Sequence, residues 1–114
     1  MKYGNVRTVI RAGGQVFDSK KEARRYQELV ILQGAGKISG LVCQVPYVLA
    51  PSVKLHGDKR TRPALRYVAD FVYSCPVDGI VVEDVKSIAT ARLSTFRLKQ
   101  HLMATVLGIF VRIV

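Results

Sequence analysis

The stretch "LRYVADFVYSCPVDGIVVEDVKS", Leu65 to Ser87, decides the fold. Two apolar runs flank a turn-rich "SCPVDG", the pattern of a β-hairpin. Alternation assigns the faces. In the second run Ile80, Val82, Asp84 and Lys86 share one side, and Val81, Glu83 and Val85 the other. In the first, Arg66, Val68, Asp70 and Val72 lie opposite Tyr67, Ala69, Phe71 and Tyr73. A loop of about five residues centred on Val77 pairs Val72 with Val82 and Val68 with Lys86. It also sets Asp70 directly against Asp84, where Cβ atoms are ~4.5–5.5 Å apart and like charges repel. A shared divalent cation is the simplest reason for that opposition. Mg²⁺ (or Mn²⁺) suits one or two carboxylates completed by waters and phosphate oxygens. Lys86, two residues from Asp84 on the same face, supplies a cation for charge developing on a scissile phosphate. A slip of one residue in the pairing would undo this arrangement.

Upstream, "SKKEARRYQELVILQGAG" predicts a helix of about 15 residues. It has Ser19 at its N-cap, Glu22 three residues on, and Gly34 and Gly36 at its end. Ala23, Tyr26, Val30 and Gln33 form its apolar-leaning stripe, with Leu29 beside it and Arg24, Arg25 and Glu28 off it. Before it, "VRTVIRAGGQVFDS" predicts two short strands about a Gly13–Gly14 turn. After it, "LVCQVPYVLAP" predicts a strand whose proline implies an edge or a bulge. Downstream, "ATARLSTFRLKQHLMATVL" reads as one helix with Leu93, Phe96, Met103 and Val106 facing inward. Gly108 ends it, and "IFVRIV" is a last strand. The order gives an α+β or α/β domain over residues 1–114, a mixed sheet flanked by two helices.

Composition narrows the partners. The 114 residues carry 18 Lys and Arg against 8 Asp and Glu, a formal charge of +10, which calls for a polyanion. The longest apolar run, "LMATVLGIFV", is far short of the ~20 residues that span a bilayer. The N-terminus lacks the apolar core of a signal peptide, so nucleic acid in a cytoplasm is the expected partner. Cys43, Cys75, His56 and His101 stand singly, without zinc-ligand spacing. Lys54, Lys59, Arg60 and Arg62 in the loop "SVKLHGDKRTRP", with Arg92, Arg97 and Lys99 on the second helix, are the expected phosphate contacts.

At these residues the chain resembles the PD-(D/E)XK nuclease superfamily: an Asp, here Asp70, precedes an acid–x–Lys triplet, here Asp84, Val85 and Lys86, on the neighbouring strand. Within it, "KYGN", "FDSKKEARRYQEL", "ISGLVCQVPYVL", "YVADFVY", "VVEDVK" and "FRLKQHL" are similar, in order, to small phage and prophage nucleases. The resemblance implies a restriction-endonuclease-like core and metal-dependent hydrolysis of DNA phosphodiesters in a bacterial cytoplasm, in the setting of phage recombination or replication. It adds Glu22 as a further acid at the metal site, and Gln44 and Lys99 as DNA-side residues. Glu22 also fits a simple capping box with Ser19. Ser87 stands where the pattern often has glycine. Two versions of the activity stay open, one cutting branched DNA such as four-way junctions and one cutting duplex. The former would normally be a homodimer, with the last strand or the first hairpin as its edge. A basic nucleic-acid-binding protein that keeps the fold without the chemistry is the alternative.

Overall fold

The computed structural model describes residues 10–12, 14–17 and 19–114. The segment "KYGN", the turn residue Gly13 and Asp18 lie outside them. A short antiparallel hairpin, β1 (Ile10–Ala12) and β2 (Gln15–Phe17), leads into helix α1 (Lys20–Gly34). Strands β3 (Ser39–Ala50), β4 (Leu65–Cys75) and β5 (Gly79–Asp84) follow. After them come the short α2 (Ile88–Ala91), α3 (Ser94–Val106) and the two-residue β6 (Arg112–Ile113). The sheet runs β3-β4-β5-β6, antiparallel until β6, which pairs parallel to β5. The architecture is α+β with a mixed sheet, as the element order predicted. Among the described residues no helix is long and apolar enough to cross a membrane.

Local chemistry accounts for the elements. Ser19, in an extended conformation, accepts the Glu22 amide at 3.1 Å and starts α1. Gly36, at φ +76°, lets the chain leave that helix. Gly108, at φ +69°, does the same for α3, and the Ile109 amide returns to the Met103 carbonyl. Pro46, which has no amide to donate, sits in the edge strand β3, as expected.

Two apolar clusters hold the layers together. On one side Phe71, Tyr73 and Val81 pack with Phe17, Ala23, Leu29 and Ile38. On the other Tyr67, Ala69 and Val82 pack with Leu49, Phe96, Met103 and Val111. Leu29, Phe71 and Met103 are fully buried, and each contributes on the order of 2 kcal/mol through removal from water.

Three expectations are corrected. The single second helix is two, because Leu93 takes an extended conformation between them. Leu93 and Val106 are consequently exposed, and only Phe96 and Met103 of the four expected inner residues are buried. In α1 the buried centre is Leu29, while Val30 is exposed. Tyr67 and Ala69 do not share a cluster with Phe71 and Tyr73, although all four are buried at alternate positions of β4. Between the Cys43–Phe71 and Val45–Ala69 pairs, Gln44 of β3 holds φ +54°, outside the strand region.

Candidate active site

The hairpin register is the one the alternation demanded: Val72 pairs with Val82, Phe71 with Glu83 and Tyr73 with Val81. Continued one step, it sets Asp70 against Asp84. The ladder goes no further, so the expected Val68–Lys86 pair does not form. Instead the Val85 amide turns to the Asp70 carboxylate, Oδ2 at 2.8 Å. On its other edge β5 continues against β6: Val114 N–H donates to the Asp84 carbonyl and Lys86 N–H to the Val114 carbonyl. Asp70 thus replaces a backbone acceptor at the place where β4 and β5 part.

Asp84 is almost wholly buried, at 2 % exposure. Its Oδ2 accepts the Tyr67 hydroxyl at 2.5 Å and lies 3.3 Å from the Lys86 ammonium. That ammonium also sits over the Phe96 ring, 4.9 Å from its centre, which fixes its direction. Lys21 reaches across from α1 to the Lys86 carbonyl at 2.8 Å. Gln44 links the remaining acids: its Nε2 donates to Glu22 Oε2 at 3.0 Å and to Asp70 Oδ1 at 3.3 Å. A non-glycine residue in the left-handed region costs roughly 1–3 kcal/mol unless its surroundings hold it there, and these two bonds do so.

Burial, and then the hydrogen bond to Asp84, push the Asp70 carboxyl from its ordinary 3.8 up to about 8; the Val85 amide opposes them. The metal-free folded chain therefore keeps a proton that the unfolded chain releases near pH 4. This contribution to stability is complete below about pH 4 and is lost as pH rises through about 8. Unfolding in EDTA should show stability, and Tm with it, falling between pH 5 and 8.5, the free energy of unfolding by no more than about 1.4 kcal/mol per pH unit. Asp70→Asn should remove most of that slope.

Glu83 looks the other way and is 0 % exposed. Its carboxylate takes Arg25 Nε at 2.9 Å and Nη2 at 2.6 Å, and also accepts the Tyr73 hydroxyl. This pair fastens α1, and Glu22 with it, to the strand that carries Asp84.

Asp70, Asp84, Lys86, Glu22 and Gln44 therefore come together, Gln44 among the acids and not on a separate DNA-facing surface. Lys99 lines a cleft of about 340 Å³ that Asp84 and Lys86 also line. Arg97 does not: it faces Gln100, His101 and Phe110. In the loop, Arg62 is paired with Asp58 at 2.9 Å and bridged through its backbone to Val53, which leaves Lys54, Lys59 and Arg60 exposed.

Tyr67 was not anticipated, because alternation put it on the face away from Asp84. The departure at Gln44 carries no glycine to mark it. Replacing Tyr67 by Phe leaves a buried carboxylate oxygen short of one donor, so unfolding should cost about 1–3 kcal/mol less, measured in urea. The Cys43 thiol is pushed up by burial, and by Glu22 and Asp70, which makes it a poor nucleophile.

Opposed carboxylates beside a fixed lysine, where two strands of a mixed sheet part, define an α+β domain with an acid–lysine cleft. The chain belongs to the family described as "Protein of unknown function (DUF1064)", whose model matches residues 1–106. No curated protein and no solved structure matches it.

Proposed function

We propose that the protein is a metal-dependent DNA endonuclease. The observation that carries this is the Asp70–Asp84 opposition with Lys86 held on Asp84. Burial, and then the hydrogen bond to Asp84, raise the Asp70 carboxyl to about 8, and a cation between the two acids would favour their charged forms. Among the described residues no three acidic, thiol or imidazole groups form a ready-made cage. Two carboxylates completed by water and phosphate oxygens are a set that fits Mg²⁺ or Mn²⁺. The cation, when bound, would supply Lewis-acid stabilisation of charge on the phosphoryl oxygens.

The chain's own residues do the rest. Asp70 and Asp84 would hold the ion. Tyr67 fixes Oδ2 of Asp84 by donating its hydroxyl to it. Lys86 offsets charge that develops as water attacks the phosphorus in line. Glu22, brought next to Asp70 by Gln44, adds negative charge beside that acid. The charge of +10 supports a nucleic-acid substrate, and Lys54, Lys59, Arg60 and Lys99 are available for phosphates. The Asp58-paired Arg62 and the separate Arg97 are secondary contacts in this reading.

The test is cleavage of labelled duplex, single-stranded, flapped and four-way-junction DNA with Mg²⁺, Mn²⁺ or EDTA. Cutting that needs the metal is expected, and the favoured substrate decides between a junction resolvase and a general endonuclease. A resolvase would act as a homodimer in a bacterial cytoplasm, encoded by a phage or prophage. Tight binding with no cutting of any substrate would overturn the enzyme in favour of a binding protein.

A further inference from the structure

Beside the acids lies the cleft of about 340 Å³ between β4 and the α2–α3 segment. Arg66, Lys86, Lys99, Thr90, Thr95 and Phe96 supply the lining that matters. Three cations line it. Lys86 is committed to Asp84. Arg66 and Lys99 pair with no carboxylate among the described residues, so a cleft next to an acid cluster carries a local positive excess. The start of α3 adds to it. Its N-cap, Leu93, has no side chain that can accept, and no side-chain hydrogen bond caps the helix. The first amides of a 13-residue helix are thus left without a capping acceptor. Such a set of donors matches the tetrahedral oxygens of a phosphate.

We infer that this cleft, with Arg66 and Lys99 as its principal cations, is a phosphate subsite that holds the backbone phosphate next to the one cleaved. The inference rests on the nuclease reading for the role of that phosphate, but the binding does not depend on it. Lys86 joins the two places: it lines the cleft and contacts Asp84, so a strand seated on Arg66 and Lys99 runs on towards the acid pair. Arg66 and Lys99 are positioning residues, which bind substrate and transition state alike. Their loss should raise KM and leave kcat nearly unchanged.

Inorganic phosphate titrated into the metal-free full chain, in EDTA, gives the first readout by ¹H–¹⁵N spectra. The amides of Ser94, Thr95 and Phe96 should shift in a saturable way. In the double variant Arg66→Ala, Lys99→Ala those shifts should vanish, with Tm unchanged because both side chains are exposed. The same variant should raise KM for DNA roughly tenfold and make the salt slope of binding less negative by about 1–2. Absence of saturable shifts in the parent chain, or equal shifts in the double variant, would overturn the subsite. Saturable shifts lost in the variant, in a protein that cuts no DNA, would uphold the subsite and remove only the catalytic reading.

Discussion

Asp84→Asn is expected to lower metal-dependent cleavage by about three powers of ten, whereas Glu83→Gln should leave it within about tenfold. The two acids are adjacent in sequence and both are buried, yet they face opposite layers. Asp84 meets Asp70, Tyr67 and Lys86; Glu83 meets Arg25 and Tyr73. Exchange of one carboxylate oxygen for an amide removes half the charge that the acid pair offers a cation. That is worth several kcal/mol at a transition state where charge accumulates on phosphate. The amide keeps the volume and can still accept from Tyr67, so Asp84→Asn should fold. Rates are compared at saturating Mg²⁺, with Tm recorded for both variants. Loss of activity in Glu83→Gln and its survival in Asp84→Asn would place the chemistry on the wrong face.

Arg25→Met is expected to destabilise the fold by about 3 kcal/mol or more, the largest single effect outside the core. Arg25 gives two nitrogens to the Glu83 carboxylate, at 2.9 and 2.6 Å, and its guanidinium is held well above its ordinary pKa, chiefly by that bond. Without it, a carboxylate at 0 % exposure has only Tyr73 left. An unpaired buried charge costs more than the pair ever contributed. The double variant Arg25→Met, Glu83→Gln should therefore recover much of the loss, and urea unfolding of the cycle measures the coupling. Additive losses would mean that the pair is not the tether between α1 and β5.

Much of this was legible in the chain. The register of β4 and β5 followed from two alternating runs and one turn, because a shift by one residue would have put Val82 and Phe71 on the wrong sides. Ser19 and Gly36 marked the ends of α1, since caps depend on local chemistry alone. Pro46 marked an edge strand for a similar reason. The remainder depends on contacts between distant residues. Arg25 finds Glu83 58 positions away, and no spacing rule connects them. Gln44 adopts a left-handed conformation while its amide is held by Glu22 and Asp70, distant residues that nothing in "VCQVP" announces. The interruption at Leu93 was equally hidden: the apolar spacing continues across it, and only the weak helix formers Ser94 and Thr95 hint at a new start.

The acid pair is the centre of the account, and Mn²⁺ binding tests it without relying on turnover. Free Mn²⁺ is followed by electron paramagnetic resonance as protein is added at pH 8.5, above the value of about 8 at which Asp70 releases its proton. Saturable loss of the free-ion signal is expected with the parent chain, weakened at least tenfold in Asp84→Asn and in Asp70→Asn, and unchanged in Glu83→Gln. Equal binding by all four proteins, or none by the parent, would contradict it.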